Sequence, residues 1–357
     1  MASRSELRII HVSDFHIHPP LSQKGRKLLR QVRSHSYAHL AGASDAIRRE
    51  LLDDDDTSTV ICATGDLSTL ASADALRLSR QFLANRRIRC SGSEYDLGIA
   101  HEARSLFVLP GNHDRYDGRT QLWKNTRAFE QAYDGIAGKR TRNRDKPFAD
   151  QPLFSYKFYP QVRVALSHPT SGLACVFYCI DSNELSAAQR INPLTTVAAG
   201  RVSSSTIEWL RGLNRSLDTD GRIRDSGGTV YNLRRHHIVR ILALHHHPVP
   251  PDGQKYRGLT TLANASELTS VIAELEFHAV LFGHEHVAYN VDRRNQDALG
   301  PIYFGAPSLS VFDPKIRNGF GVLDVRAEAI LWRLLEETDG VFRETRREEF
   351  AIHAKRI

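Results

Sequence analysis

Four cysteines in 357 residues are too few for a disulfide scaffold. Cys62, Cys90, Cys175 and Cys179 show no pair spacing typical of a zinc knuckle. Cys62 lies inside an apolar run, and Cys175 and Cys179 share one face of ACVFYCID if that segment is a strand. They read as small buried apolar side chains in a reducing compartment. No apolar stretch is long enough to cross a bilayer. The opening MASRSELRIIHVSDFH runs straight into a strand-like segment, with no basic region, long apolar core and cleavage site before it. A cytoplasmic setting without a membrane partner is the expectation. There is no internal repeat, no low-complexity tract and no ordered stripe of basic residues such as a dedicated nucleic-acid binder carries. The net charge of +7 is that of an ordinary soluble surface, with mild steering of anions at most.

With 41% hydrophobic and 25% charged residues there is material for a sizeable core. Strand and helix signals alternate, which predicts an α/β chain. Helices are expected near 44–51 behind a Ser44 cap, near 72–86, after the capping pattern Ser205-Thr206-Ile207-Glu208, and over 266–276. The third of these carries the stripe Ile207, Leu210, Leu213 and Leu217. Segments 18–42, 115–151 and 186–235 read as cap-forming loops; within the last, 218–234 reads as flexible. Lys139, Arg140, Arg142, Arg144 and Lys146 form a basic run that is most simply a solvated loop. FGVLDV and AILWRL form a hairpin that completes a sheet layer. One domain over 1–335 and a short extension over 336–357 are expected.

Five short clusters of metal-ligand residue types each follow an apolar, strand-like run. Asp14-Phe15-His16 follows RIIHVS, Gly65-Asp66 follows STVICAT, and Gly111-Asn112-His113-Asp114 follows SLFVLP. His245-His246-His247 follows RILAL, and Gly283-His284-Glu285-His286 follows HAVLF. Each cluster alone has a bland explanation as a polar turn. Five in succession, each behind a β run, do not, because ligands of open α/β sheets gather beyond the carboxyl ends of strands. Asp, His and the Asn amide oxygen, without thiolate, suit two divalent or mixed-valence ions of the manganese, iron or zinc kind. A carboxylate shared by both ions brings them to about 3.5–4 Å, and Asp66 is assigned that place. Asp14, His16, Asp66 and His286 would hold one ion. Asp66, Asn112, His284 and one imidazole of the 245–247 triplet would hold the other. Such a cluster keeps a formal positive charge, attracts a phosphate and lowers the pKa of a water that then attacks phosphorus. His113, not needed as a ligand, is the expected proton donor to the leaving oxygen, with Asp114 orienting its ring.

Asp-x-His, Gly-Asp, Gly-Asn-His-Asp, His and Gly-His-x-His, in that order, resemble the motifs of the calcineurin-like metallophosphoesterase superfamily. The likeness spans residue 8 to about residue 325. It implies a two-sheet β-sandwich flanked by helices, with a binuclear centre at the strand ends. It also implies that the fourth-motif ligand stands two residues before a proline, which selects His246 ahead of Pro248. LHHHPVP is similar to the bacterial branch of cyclic-nucleotide and glycerophosphodiester phosphodiesterases, and CIDSNEL (179–185) to the family's strand before a helix. Purple acid phosphatases are less similar, since Leu67-Ser68 stand where a tyrosine would follow Gly-Asp. The expected activity is hydrolysis of a small phosphodiester or phosphomonoester. A nuclease of the same superfamily is the alternative, and a scaffold that has lost catalysis is less favoured because every ligand type is present. Oligomeric state leaves no mark, although homodimers are the commonest soluble assemblies.

Overall fold

The computed structural model describes residues 6–17, 37–52, 57–69, 71–90, 93–99, 106–115, 129, 132–133, 160–170, 172–184, 199–249, 262–292, 300–311 and 315–356. The elements run in chain order as β1 (Leu7–Val12), α1 (Tyr37–Leu52), β2 (Ser58–Ala63), α2 (Ala73–Ala84), β3 (Arg87–Cys90), β4 (Ser93–Asp96), β5 (Leu106–Val108) and α3 (Asn112–Arg115). There follow β6 (Gln161–Leu166), β7 (Gly172–Cys179), α4 (Ser204–Asp220), β8 (Arg222–Arg224), β9 (Val230–Asn232), β10 (His236–Ala243) and α5 (Ala265–Glu274). The chain ends with β11 (Ala279–Phe282), β12 (Tyr289–Asp292), β13 (Ile302–Gly305), β14 (Gly319–Val325), β15 (Ala329–Thr338), β16 (Val341–Ala351) and β17 (Lys355–Arg356).

Two sheets form the body. One has the order β16-β15-β14-β1-β2-β5, the other β12-β13-β11-β10-β7-β6, with β17 pairing onto β10. Within the first, β1, β2 and β5 are parallel. Within the second, β7, β10, β11 and β13 are parallel. Period-two alternation along these strands builds the layers. Leu7 and Ile9, Val60 and Cys62, and Val239 and Ile241 point between the sheets. Ile10, Val12, Ile61 and Ala63 point the other way, toward α1 and α2, while Ile238, Leu242 and Leu244 point toward α4 and α5. The sandwich flanked by helices is therefore present. Cys62, Cys175 and Cys179 are free thiols on the inter-sheet side, as the strand reading requires. Trp332, 1% exposed, is the largest side chain in this layer.

Several local expectations shift. Ser44 does not cap a helix: α1 begins at Tyr37, and the Ser44 hydroxyl sits inside it, donating to the carbonyls of Leu40 (2.8 Å) and Leu97. A polar side chain mid-helix can satisfy itself on a carbonyl one turn back, so a serine alone does not mark an end. The cap of α4 is Ser203, which accepts from Thr206 N–H at 3.2 Å, two residues before the expected pattern. Ser72 caps α2 in the same way. Of the α4 stripe, Ile207, Leu210 and Leu217 are buried and Leu213 is half-buried. Segment 218–234 is the end of α4 and the hairpin β8–β9. The expected extension after 335 is part of the first sheet: β15 continues to Thr338 and β16 pairs along its whole length. Within the three cap segments 37–42 belongs to α1 and 204–217 to α4, while 18–36, 116–128, 130–131, 134–151 and 186–198, with the basic run 139–146, lie outside the described residues. Among the described residues no helix is long and apolar enough to cross a membrane.

His11, 1% exposed, lies between the sheets with its Nε2 3.1 Å from the Thr64 hydroxyl. Burial holds its pKa down at about 3, against an opposing pull from Asp14, whereas the unfolded chain titrates near 6.5. Between those values the unfolded state binds the extra proton, so stability rises with pH and is lost as pH falls below 6.5. Replacing His11 with Phe should flatten this slope, by at most about 2 kcal/mol between pH 7 and pH 5. Urea midpoints of both proteins at the two pH values check it.

Candidate metal centre

The carboxyl ends of β1, β2, β5, β10 and β11 meet at one edge of the sandwich, and each delivers one cluster there. The backbone must bend sharply to turn these side chains inward. Asp14 (φ 53°), His16 (47°), Asp66 (49°), His284 (79°) and His286 (59°) are all left-handed, five of the seven such non-glycine residues described. Each costs on the order of 1 kcal/mol and persists only where the surroundings dictate it. Two glycines make the crowding tolerable. A Cβ on Gly111 would stand 2.0 Å from Asp66 Oδ1, and one on Gly283 would stand 1.8 Å from Ser13 Oγ and 2.6 Å from Asp14 Oδ2.

Three groups have the mutual separation a metal ion requires: Asp14, His16 and His286; His16, Asp66 and His113; and Asp66, His245 and His284. Asp66 belongs to two of them. His16 Nε2 and His286 Nε2 lie 2.9 Å apart, with Asp14 Oδ1 3.3 Å from the latter and 3.8 Å from the former. Asp14 is held by the His284 backbone N–H, which donates to Oδ2 at 2.9 Å, while Oδ1 has no hydrogen-bond partner. On the other side, His245 donates from Nδ1 to the Thr64 carbonyl at 2.8 Å, which fixes its tautomer. Its Nε2 then faces Asn112 Oδ1 at 3.0 Å, His284 Nδ1 at 3.2 Å and Asp66 at 3.4 Å. A ring nitrogen opposed by an amide oxygen and a carboxylate needs a proton or a cation between them.

The electrostatics say the same. Burial raises the pKa of Asp14, but His286 beside it more than reverses this and leaves it at about 2. Asp66 is likewise raised by burial and then drawn well below the usual range by His245 and His113. The partners respond in kind: burial lowers His245, yet Asp66 lifts it to about 9, and Asp14 raises His286 against its burial. Burial keeps His16 and His284 at about 3, hence neutral. Two buried carboxylates thus hold on to positive charge, and neutral imidazoles stand ready as ligands. The donor set of oxygen and nitrogen atoms fits divalent ions.

Every residue expected as a ligand, except one, places a donor atom among these contacts. The exception is His246, which sequence and proline spacing single out. Residues 239, 241 and 243 of β10 point between the sheets, and His245 continues that parity into the crevice. His246 takes the opposite face, where its Nδ1 is 2.8 Å from Ser182 Oγ, although its ring centroid stands 4.6 Å from that of His284. Counting strand parity from Ile241 would have found His245; counting back from Pro248 does not. Asp114 also differs from expectation. Its carboxylate accepts from the backbone N–H groups of Leu67 (3.1 Å), Ser68 (2.9 Å) and Gly111 (2.9 Å) and from the Ser68 hydroxyl (2.8 Å). It ties the two loops together and does not orient the His113 ring. Burial, then Asp66, push its pKa up to about 6, against those donors. His113 is oriented by the Thr69 carbonyl, to which Nδ1 donates at 3.0 Å, and its backbone N–H donates to Asp66 Oδ1 at 2.8 Å. Its ring packs edge-on against His16, with centroids 5.0 Å apart, and its side chain is 35% exposed, facing outward where Asp14 and Asp66 are sealed.

Solved structures similar to this chain include vacuolar protein sorting 29 from Cryptosporidium parvum, 9% identical, covering 97% of this chain and 98% of that one with a TM-score of 0.37. They also include the calcineurin-like phosphoesterase YfkN from Bacillus subtilis, 10% identical, covering 98% and 90% with a TM-score of 0.36. Phosphopantetheinyl hydrolase from Mycobacterium tuberculosis is 10% identical, covering 88% and 99% with a TM-score of 0.38. A search of curated proteins gives no match. The family model described as calcineurin-like phosphoesterase matches residues 7–288, which holds all five clusters, and the chain belongs to that family.

Proposed function

We propose that the chain hydrolyses a small phosphoester, a diester in preference to a monoester, with two divalent ions held at the strand ends. The observation that carries this is the convergence of Asp14, His16, Asp66, Asn112, His245, His284 and His286 around one shared carboxylate. Asp14, His16, Asp66 and His286 would hold one ion; Asp66, Asn112, His245 and His284 would hold the other. Ions bound there supply Lewis acidity toward the phosphoryl oxygens and an acidified water as nucleophile.

The chain's own residues do the rest. Asp66 stays ionised and common to both positions. Its two carboxylate oxygens are kept in place by the His113 backbone N–H and the His245 ring. With Nδ1 engaged by Thr69, His113 presents Nε2 on the exposed side of the cluster, where a proton can pass to the leaving oxygen. Two carboxylates against two divalent ions leave a net positive site, which favours a phosphate over a neutral ester. The preference for a diester of small-molecule size, over single-stranded nucleic acid, rests on the similarity of LHHHPVP to the phosphodiesterase branch. Action in the cytoplasm is part of the same proposal.

Chelator-stripped protein reconstituted with Mn(II), Fe(II) or Zn(II) should turn over bis(p-nitrophenyl) phosphate faster than p-nitrophenyl phosphate. A second screen takes cyclic nucleotides, glycerophosphodiesters and single-stranded DNA. Silence with every metal on every ester would overturn the reading. Replacing His113 with Ala should lower kcat by about a hundredfold or more while two ions stay bound by elemental analysis. His245→Ala should reduce bound metal from two ions toward one, whereas His246→Ala should keep both. The reverse pattern would return the ligand role to His246.

A further inference from the structure

Strand β7 delivers none of the clustered side chains, yet three residues just beyond it, past Ile180, grip two of the cluster loops. Asp181, Ser182 and Asn183 are 6%, 0% and 1% exposed. Asp181 Oδ2 lies 2.8 Å from Arg115 Nη2, a buried guanidinium at the end of α3 that also sits over the Phe129 ring at 5.1 Å. Asn183 donates from Nδ2 to the Pro110 carbonyl at 3.1 Å, and to Asp181 Oδ1 at 2.8 Å. Its backbone N–H also donates to Asp181 Oδ1, at 2.9 Å. The Ser182 hydroxyl oxygen accepts the His246 backbone N–H at 3.1 Å and meets His246 Nδ1 at 2.8 Å.

The turn 110–115 is therefore held at both ends from β7, at Pro110 and at Arg115, and Asn112 and His113 lie between the two anchors. A four-residue helix such as α3 has too few internal hydrogen bonds to hold itself. Asp114 secures the same turn to the Asp66 loop from the opposite side. Clamped from two directions, the turn has one position relative to Asp66. We propose that Asp181 and Asn183 are positioning residues for Asn112 and His113, with Ser182 performing the same service for the loop that carries His245. This rests on the roles given above to Asn112 and His113.

A purely structural ion pair would move stability alone, so the test separates the two. The double variant Asp181→Leu/Arg115→Leu removes both charges at once, a change that buried pairs commonly tolerate because no charge is left uncompensated. Asn183→Ala leaves the ion pair intact and serves if the double variant fails to fold. In each, amide hydrogen exchange at residues 111–114 should accelerate about tenfold or more, while that of β1 and β10 is unchanged. Titration with Mn(II) should show one of the two positions weakened about 10–100-fold, and kcat should fall by a similar factor with KM little altered. Folded variants of both kinds with wild-type exchange across 111–114 would overturn the proposal. The exchange readout needs neither metal nor turnover, so a wild-type protein without phosphoesterase activity would defeat the functional reading and still leave this one decided.

Discussion

Asp14 and Asp66 are carboxylates with 0% and 2% of their surface exposed, sealed in the loops at the edge where the strands end. Ionised groups in such a place are costly unless opposite charge lies against them. The rest of the site follows from that constraint. His286 and His245 stand against the two carboxylates, His284 N–H and His113 N–H donate to them, and the left-handed backbone at five residues is what lets these groups converge. Gly111 and Gly283 are present because any Cβ would enter the space the carboxylate oxygens occupy.

Convergence on this scale needs rigid supports, and the parallel strands supply them. β1, β2 and β5 in one sheet and β10 and β11 in the other all end at the same edge, so the loops begin from fixed points. Side chains that touch no candidate ion then lock the loops to one another. Asp114 binds the loop after β2 to the turn after β5, and Thr64 and Thr69 offer carbonyls that set the tautomers of His245 and His113. His113 is left as the cluster's outward-facing ring.

Much of this was legible in the residues alone. The five apolar runs are strands, the polar clusters behind them do meet, and the residue types name the chemistry. What could not be read was which way a side chain faces. His245 and His246 are indistinguishable by composition, and only the parity of β10 relative to the inter-sheet core separates them. Asp114 looked like a partner for the imidazole beside it in sequence, whereas its carboxylate is drawn to backbone N–H groups of a loop 46 residues away. Local signals misled where tertiary contacts took over: Ser44 satisfies its hydroxyl within α1, and 218–234 contains a hairpin despite its turn-rich composition. CIDSNEL stood out in the sequence, but the contacts of Asp181 and Asn183 with Arg115 and Pro110 could not be read from it, because they depend on β7 lying next to the turn after β5.

The first strand carries a further implication. β1 sits in the middle of its sheet, between β2 and β14, with Leu7 opposite Val325 and His11 opposite Gly321. During synthesis one flank of β1 therefore has no native neighbour until β14 has emerged from the ribosome. A pairing of such long range delays closure of the sandwich, and the crevice at its edge matures only after β14 has been made. Until then β1 presents an unpaired, largely apolar strand edge, the kind of surface that templates association with other chains.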